Sequence, residues 1–317
     1  ECPNQDTIAS VYERGGRVYV ETTSTFETAD LQLRDMGISG QYNDLYDNGR
    51  WRNIDEAMRL IQFHPDILLD SHDMAKDGGR AIVQGIKDGT ARIVSDGSFK
   101  KDTPIGPAGT SAFRIAPYAN YKDEQCITGY NWVTGSKEDQ SSYRSEAAGV
   151  SGALAVLDVL VKHYNIESGS VTIALDGLSA LQQCAGDWPL SIDQPCFDIL
   201  QDIRGRLQEL PITVEFRWVE GHQDDKGMAY YNLDWWGLMN YKMDLAAKQY
   251  MEDVTIHPGR QKEHRINKLK YEKWSVSLDG KKLSTVTRDN LYVGLFGPRT
   301  LKYWQDKDDM PTNPEEV

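Results

Sequence analysis

Three β-type runs in immediate succession, ARIVSDGSF from Ala91, GTSAFRIAP from Gly109 and QCITGYNWVTG from Gln125, constrain this chain more than any other feature. Gly, Pro and Asp clusters separate them and read as turns, so the runs form an antiparallel meander. Directly after the third run, Ala147, Val150, Leu154, Leu157, Leu160 and Val161 recur at spacings of three and four. That period predicts an amphipathic helix over Ser145–Tyr164. SVTIAL (Ser170–Leu175) reads as a buried strand, followed by a short helix from Leu178, a helix over Phe197–Leu210, an alternating strand over Ile212–Val219 and a last helix over Leu238–Tyr250. The order β-β-β-α-β-α-α-β-α, with five strands, belongs to an α/β fold.

The remainder divides by punctuation. Residues 1–90 form a flank of unassigned role, with a strand-like stretch at Arg17–Thr23 and a helical one at Ile54–Gln62. Residues 91–252 carry the α/β pattern, and residues 253–317 a basic linker and a C-terminal extension. The 317 residues, 39% hydrophobic and 26% charged, suffice for a packed core. No apolar run has the length a bilayer requires. Glu1–Ser10 lacks a basic start and an apolar stretch, so an intracellular protein, nuclear or cytoplasmic, is expected. A chain that starts at Glu reads as a fragment or processed product. Cys2, Cys126, Cys184 and Cys196 show no zinc-ligand spacing and read as reduced thiols.

A net charge of −13 argues at first against nucleic-acid binding. Charge is uneven, however: Gly259–Lys270, GRQKEHRINKLK, holds five Lys or Arg against one Glu. It is either a solvated face or a nucleic-acid contact.

Four acids stand where a solvated carboxylate is not expected. Asp96 ends the apolar run ARIV, and Glu146 lies in the first turn of the long helix. Asp176 directly follows TIAL, at the carboxyl end of a strand, where α/β folds collect ligands. Asp244 lies on the last helix, one turn after Asn240. Each alone is explained as a turn or cap residue. Four from separate elements suit a site for hard divalent cations, such as the pair of Mg²⁺ ions, about 4 Å apart, that can activate water and stabilise a leaving alkoxide in phosphodiester hydrolysis.

The ordered set SDGSF, SSYRSEAAG, IALDGLSAL, and WVEGHQDD followed by NYKMDLAAK resembles the type 1 ribonuclease H family, in particular its retroelement branch. The resemblance covers roughly half the chain. It implies a mixed five-stranded sheet whose first three strands are antiparallel. It also implies a metal cage of Asp96, Glu146, Asp176 and Asp244 for two Mg²⁺ ions, with Mn²⁺ as a substitute. His222, before the last helix, would assist proton movement and product release. Gly97, Ser98, Ser141, Ser142 and Arg144 match segments that touch substrate, although Ser141 or Ser142 would equally serve as a helix cap.

The implied activity is cleavage of the RNA strand of an RNA–DNA hybrid, with an upstream reverse transcriptase region as partner and no membrane. Two departures stand out. The loop between Gly221 and Asp244 carries an apolar insert, LDWWGLM, whose tryptophans are expected in the core. Cellular members often carry a Lys-rich projection, whereas Asp187–Gln208 here is mostly acidic, with only Arg204 and Arg206. Grip on a hybrid must come from elsewhere, the Gly259–Lys270 run being one candidate.

Two other readings keep the fold. In a DNA-cutting integrase-like enzyme the Glu would come late, on the last helix, and a related exonuclease would carry an acid at position 98, where this chain has Ser. A catalytically silent retroelement module would have lost a carboxylate, and none of the four is missing.

Overall fold

The computed structural model describes residues 7–14, 17–24, 54–64, 66–191, 194–221, 232–257, 260, 262–266, 268–272, 274–278 and 281–284. The chain divides into two compact units, one of residues 41–189 and 199–272, the other of residues 1–40, 190–198 and 273–317.

In the second unit, β1 (Thr7–Arg14) and β2 (Arg17–Ser24) form an antiparallel hairpin. β9 (Trp274–Leu278) lies parallel to β1, and β10 (Lys281–Lys282) pairs with β9, giving the order β10-β9-β1-β2. Thus Thr7–Ser24, in the expected N-terminal flank, shares a sheet with the C-terminal extension, while α1 (Ile54–Phe63) and α2 (Arg80–Lys87) belong to the larger unit.

That unit is built on six strands: β3 (Ser71–Asp73), β4 (Ala91–Lys100), β5 (Ala108–Ala116), β6 (Ile127–Trp132), β7 (Ser170–Leu175) and β8 (Thr213–Trp218), in the order β3-β6-β5-β4-β7-β8. β4, β5 and β6 form the expected antiparallel meander, and β7 and β8 add in parallel beside β4. β3 is additional, antiparallel to the free side of β6. Its three residues, Ser-His-Asp, are too few to show a period in sequence.

Alternation along β4 assigns its two faces. Ser95 and Gly97 face α3 (Ser142–His163), where Gly149 stands against Ser95 and Ser111, and Asn131 Nδ2 donates to Ser111 Oγ at 3.1 Å and to the Ala148 carbonyl at 2.8 Å. Val94, with Ala112 and Ala174, faces α6 (Trp235–Thr255) and packs on Trp236, Met239, Met243 and Ala247. Trp235 packs against the same cluster, so the two tryptophans of the apolar insert belong to the first turn of α6 and to the core.

α3 is buried on every side from Arg144 to Val161 rather than along one stripe. α1 and α4 (Leu178–Ala185) pack on it, and Ser151 Oγ donates to Asp202 Oδ2 of α5 (Phe197–Glu209) at 2.6 Å. Asp158 is buried beside Lys162 at 3.0 Å and Lys270 at 3.5 Å.

The basic run is largely consumed by acids of its own unit. Lys262 pairs with Asp70, Arg265 lies 3.8 Å from the same carboxylate, Lys270 pairs with Asp158 and Arg260 with Asp253 at 3.4 Å. Asp70 also accepts the backbone N–H of buried Trp132, while the Arg265 carbonyl accepts from Gly135 N and Thr134 Oγ1, each at 2.8 Å. The run is therefore an ion-paired strap at the β6 side of the sheet. Among the described residues no helix is long and apolar enough to cross a membrane.

Candidate active site

Asp96, Glu146 and Asp176 converge at the end of the sheet where β4 and β7 run side by side. Each offers a carboxylate oxygen, and these lie within 4.8 Å of one another. Parallel pairing of β4 with β7 brings the two Asp-bearing strands together. Glu146 joins them because Gly97 lets α3 approach. A Cβ at Gly97 would stand 2.6 Å from Glu146 N and 2.7 Å from Ser145 C, both main-chain atoms that cannot swing aside. Gly97→Ala is therefore expected to lower stability by about 1–3 kcal/mol, the usual cost of overpacking, seen as a reduced midpoint in thermal unfolding. Ser145 Oγ closes the same junction, donating to the Ser98 carbonyl at 3.1 Å.

The electrostatics are those of acids forced together. Asp96 is 4% exposed and Glu146 8%. Burial holds the Asp96 carboxyl well above the usual carboxylate range, and the nearby Asp176 and Asp244 charges push it further; the Gly97 N–H, donating to its Oδ1 at 2.6 Å, opposes this in part. Burial likewise raises Glu146, with Asp96 and Asp176 adding to the effect. Glu146 Oε2 is buried with no hydrogen-bond partner among the described residues. An orphaned carboxylate oxygen among like charges is a costly arrangement that a cation relieves. Three hard oxygen donors at this spacing fit Mg²⁺ or Mn²⁺.

Asp244 lies at the margin of the cluster. Its charge reaches Asp96, while its carboxylate accepts from Lys248 at 2.7 Å one turn further along α6. Asp176 is held at its backbone as well: its carbonyl accepts the Trp218 indole N–H at 2.9 Å, and Gly221 passes so close to its carboxylate that a Cβ there would overlap Oδ2. His222 lies outside the described residues.

The expected substrate contacts divide. Gly97 is partly exposed at the cluster, and Ser98 is buried beneath Ser145. Ser141 caps α3, its hydroxyl accepting from Arg144 N at 3.1 Å, and Ser142 is exposed. Arg144 points inward: it is fully buried and its Nε donates to the Thr134 carbonyl at 2.6 Å. A guanidinium in that position braces the start of α3 and does not reach a ligand at the surface.

One neighbour of the cluster was not singled out in the sequence. Asn240 of α6 is 4% exposed, its Nδ2 donates to Asp176 Oδ2 at 3.3 Å, and its Oδ1 has no hydrogen-bond partner among the described residues. The signal was its spacing. Four residues before Asp244 on one helix, it shares that residue's face.

No protein-family model matches this sequence, and none of the curated proteins matches it significantly. Solved structures similar to it include ribonucleases H and a viral protease-reverse transcriptase. One is a type 1 RNase H with the type 2 active-site motif, 13% identical over 51% of this chain and 71% of that chain, with a TM-score of 0.34. A second is an RNase H1 isolated from compost by a metagenomic approach, 12% identical over 51% of this chain and 99% of that one, with a TM-score of 0.33. A third is a foamy viral protease-reverse transcriptase in complex with an RNA/DNA hybrid, 11% identical; the match covers 78% of this chain but 38% of the viral one, with a TM-score of 0.32.

Proposed function

We propose that this chain is an endonuclease that hydrolyses the RNA strand of RNA–DNA hybrids with divalent cations, of retroelement origin. The observation that carries the reading is the convergence of Asp96, Glu146 and Asp176, carboxylates from two strands and a helix, on one point beside Asp244. The strand order supports it, because the meander followed by two parallel additions is the sheet implied by the motif set.

Asp96, Glu146 and Asp176 would hold the ions, with Asp244 at the edge of a second position. Bound Mg²⁺ supplies an activated water and charge stabilisation for the leaving oxygen. The chain's own residues do the rest. Gly97 and Ser145 fix the distance between the Asp96 strand and Glu146; Asn240 and Trp218 orient Asp176. Burial, and then the neighbouring carboxylates, raise Asp96 and Glu146 above the usual carboxylate range, so a cation held there would favour loss of their protons. His222 is assigned to proton movement and product release.

A panel of labelled substrates tests the function. With Mg²⁺, the protein is expected to cut RNA within a hybrid while sparing single-stranded RNA and duplex DNA. Cutting of duplex DNA would favour the integrase-like reading. Failure to cut any substrate in Mg²⁺ or Mn²⁺ would favour the silent module.

A further inference from the structure

Arg92, half-buried, and Arg217, exposed, differ from the ion-paired cations of this acidic chain. Among the described residues neither makes an ion pair or a side-chain hydrogen bond. Arg114, by contrast, pairs with Asp123 at 2.7 Å, Arg206 with Asp202 at 2.8 Å, and the strap cations Lys262, Arg265 and Lys270 with Asp70 and Asp158. Arg92 and Arg217 are held by rings instead. The Arg92 Cζ stands 5.3 Å from the Trp235 ring centroid and 5.0 Å from that of Trp236, and the Arg217 Cζ stands 5.1 Å from Trp236. The two indoles meet edge to face at 4.8 Å, and Trp236 is anchored in the core.

Strand register places both arginines on the face that carries Asp96. Ala174 pairs with Val94 on one side and with Arg217 on the other, so these three share a row. Arg92 and Asp96 lie two residues either side of Val94 and point the same way. Arg92 is four residues from Asp96, or about 13 Å along the strand. Nucleotides advance roughly 3.4 Å each along a helix axis, so this is about four base steps. Glu215, two residues before Arg217, makes no ion pair with either arginine.

A guanidinium over an indole with no ion pair keeps its N–H donors for a ligand, and their fork matches the oxygens of a phosphodiester. We infer that Arg92 and Arg217, presented by Trp235 and Trp236, form a subsite for the sugar-phosphate backbone of the nucleic acid cut at the acid cluster. The inference rests on the hybrid-cleaving reading. It gives the phosphate grip to a ring-supported arginine pair in a chain whose basic strap is occupied by its own acids.

The test measures hybrid binding by fluorescence anisotropy from 50 to 200 mM salt, using the full chain carrying Asp176→Asn so that the probe stays intact. Adding Arg92→Gln and Arg217→Gln together is expected to weaken binding about 10-fold at 100 mM salt and to reduce the slope of log K against log salt by about 2, near 0.9 for each lost phosphate contact. Adding Arg92→Lys and Arg217→Lys instead should keep most of the slope. Hybrid binding with an unchanged slope in the Gln pair overturns the subsite, as does a Lys pair that behaves like the Gln pair. A lower melting temperature with the slope intact assigns the arginines to stapling α6 and also overturns it. Cleavage of the hybrid by the unsubstituted chain is measured alongside: if that cleavage occurs while the Gln pair binds normally, the subsite alone fails, and if no cleavage occurs the nuclease reading fails with it.

Discussion

Replacing Asp176 with Asn is expected to slow cleavage of the RNA strand by more than about 100-fold, the upper range for losing a residue that merely supports a metal ligand. Folding should survive the change. Asp176 follows β7 at the surface end of the sheet, and its carboxylate adds to the repulsion felt by Asp96 and Glu146. An amide of the same shape removes that repulsion, so the melting temperature of Asp176→Asn without added cation should equal or exceed that of the parent. A rate loss with retained stability distinguishes a chemical role from a packing role, and a parental rate in the substituted protein removes Asp176 from the site.

The second large effect is a dependence of stability on pH and divalent cation. Asp96 and Glu146 titrate higher in the folded protein than in an unfolded chain, chiefly through burial and then through neighbouring carboxylates. The folded state therefore binds more protons, and stability falls as pH rises from the ordinary carboxylate range through the raised values. This sign is opposite to that of a carboxylate stabilised by an ion pair. A cation that requires the ionised carboxylates should reverse the loss. At a hundredfold excess over Kd, one bound ion contributes about 2.7 kcal/mol, or on the order of 5–10 °C in Tm for a unit of this size. Mg²⁺ is thus expected to raise Tm clearly at pH 8 and little at pH 5, as measured by thermal unfolding in matched ionic strength. Equal shifts at both pH values would count against the carboxylates as the binding groups.

Much of this site could be read from the chain because its acids interrupt strong local patterns. Asp176 directly follows the apolar run TIAL, and Asp96 comes two residues after ARIV within β4, both at the end where β4 and β7 pair in parallel. Glu146 was visible for a similar reason, at the start of a long apolar period. What escaped depends on tertiary neighbours. The full burial of α3 requires α1, α4 and α5, none of which is encoded in the helix's own spacing. Arg144 sits in a segment that suggested nucleic-acid contact, yet its direction is set by the Thr134 carbonyl.

The basic run could not be judged from charge alone, because its partners Asp70 and Asp158 lie more than a hundred residues away in the chain. Pairing of Thr7 with Trp274 is still more remote and leaves no local trace. Asn240 could have been found from its position one turn before Asp244, had neutral side chains on that face been weighed with the acids.

Manganese titration followed by electron paramagnetic resonance addresses the convergent carboxylates most directly, since free hydrated Mn²⁺ gives a strong signal that bound ion loses. At pH 7.5 the parent protein is expected to bind one or two ions saturably, and Asp96→Asn, although folded, to bind at least about 10-fold more weakly. Identical titration curves for the two proteins would contradict the metal centre.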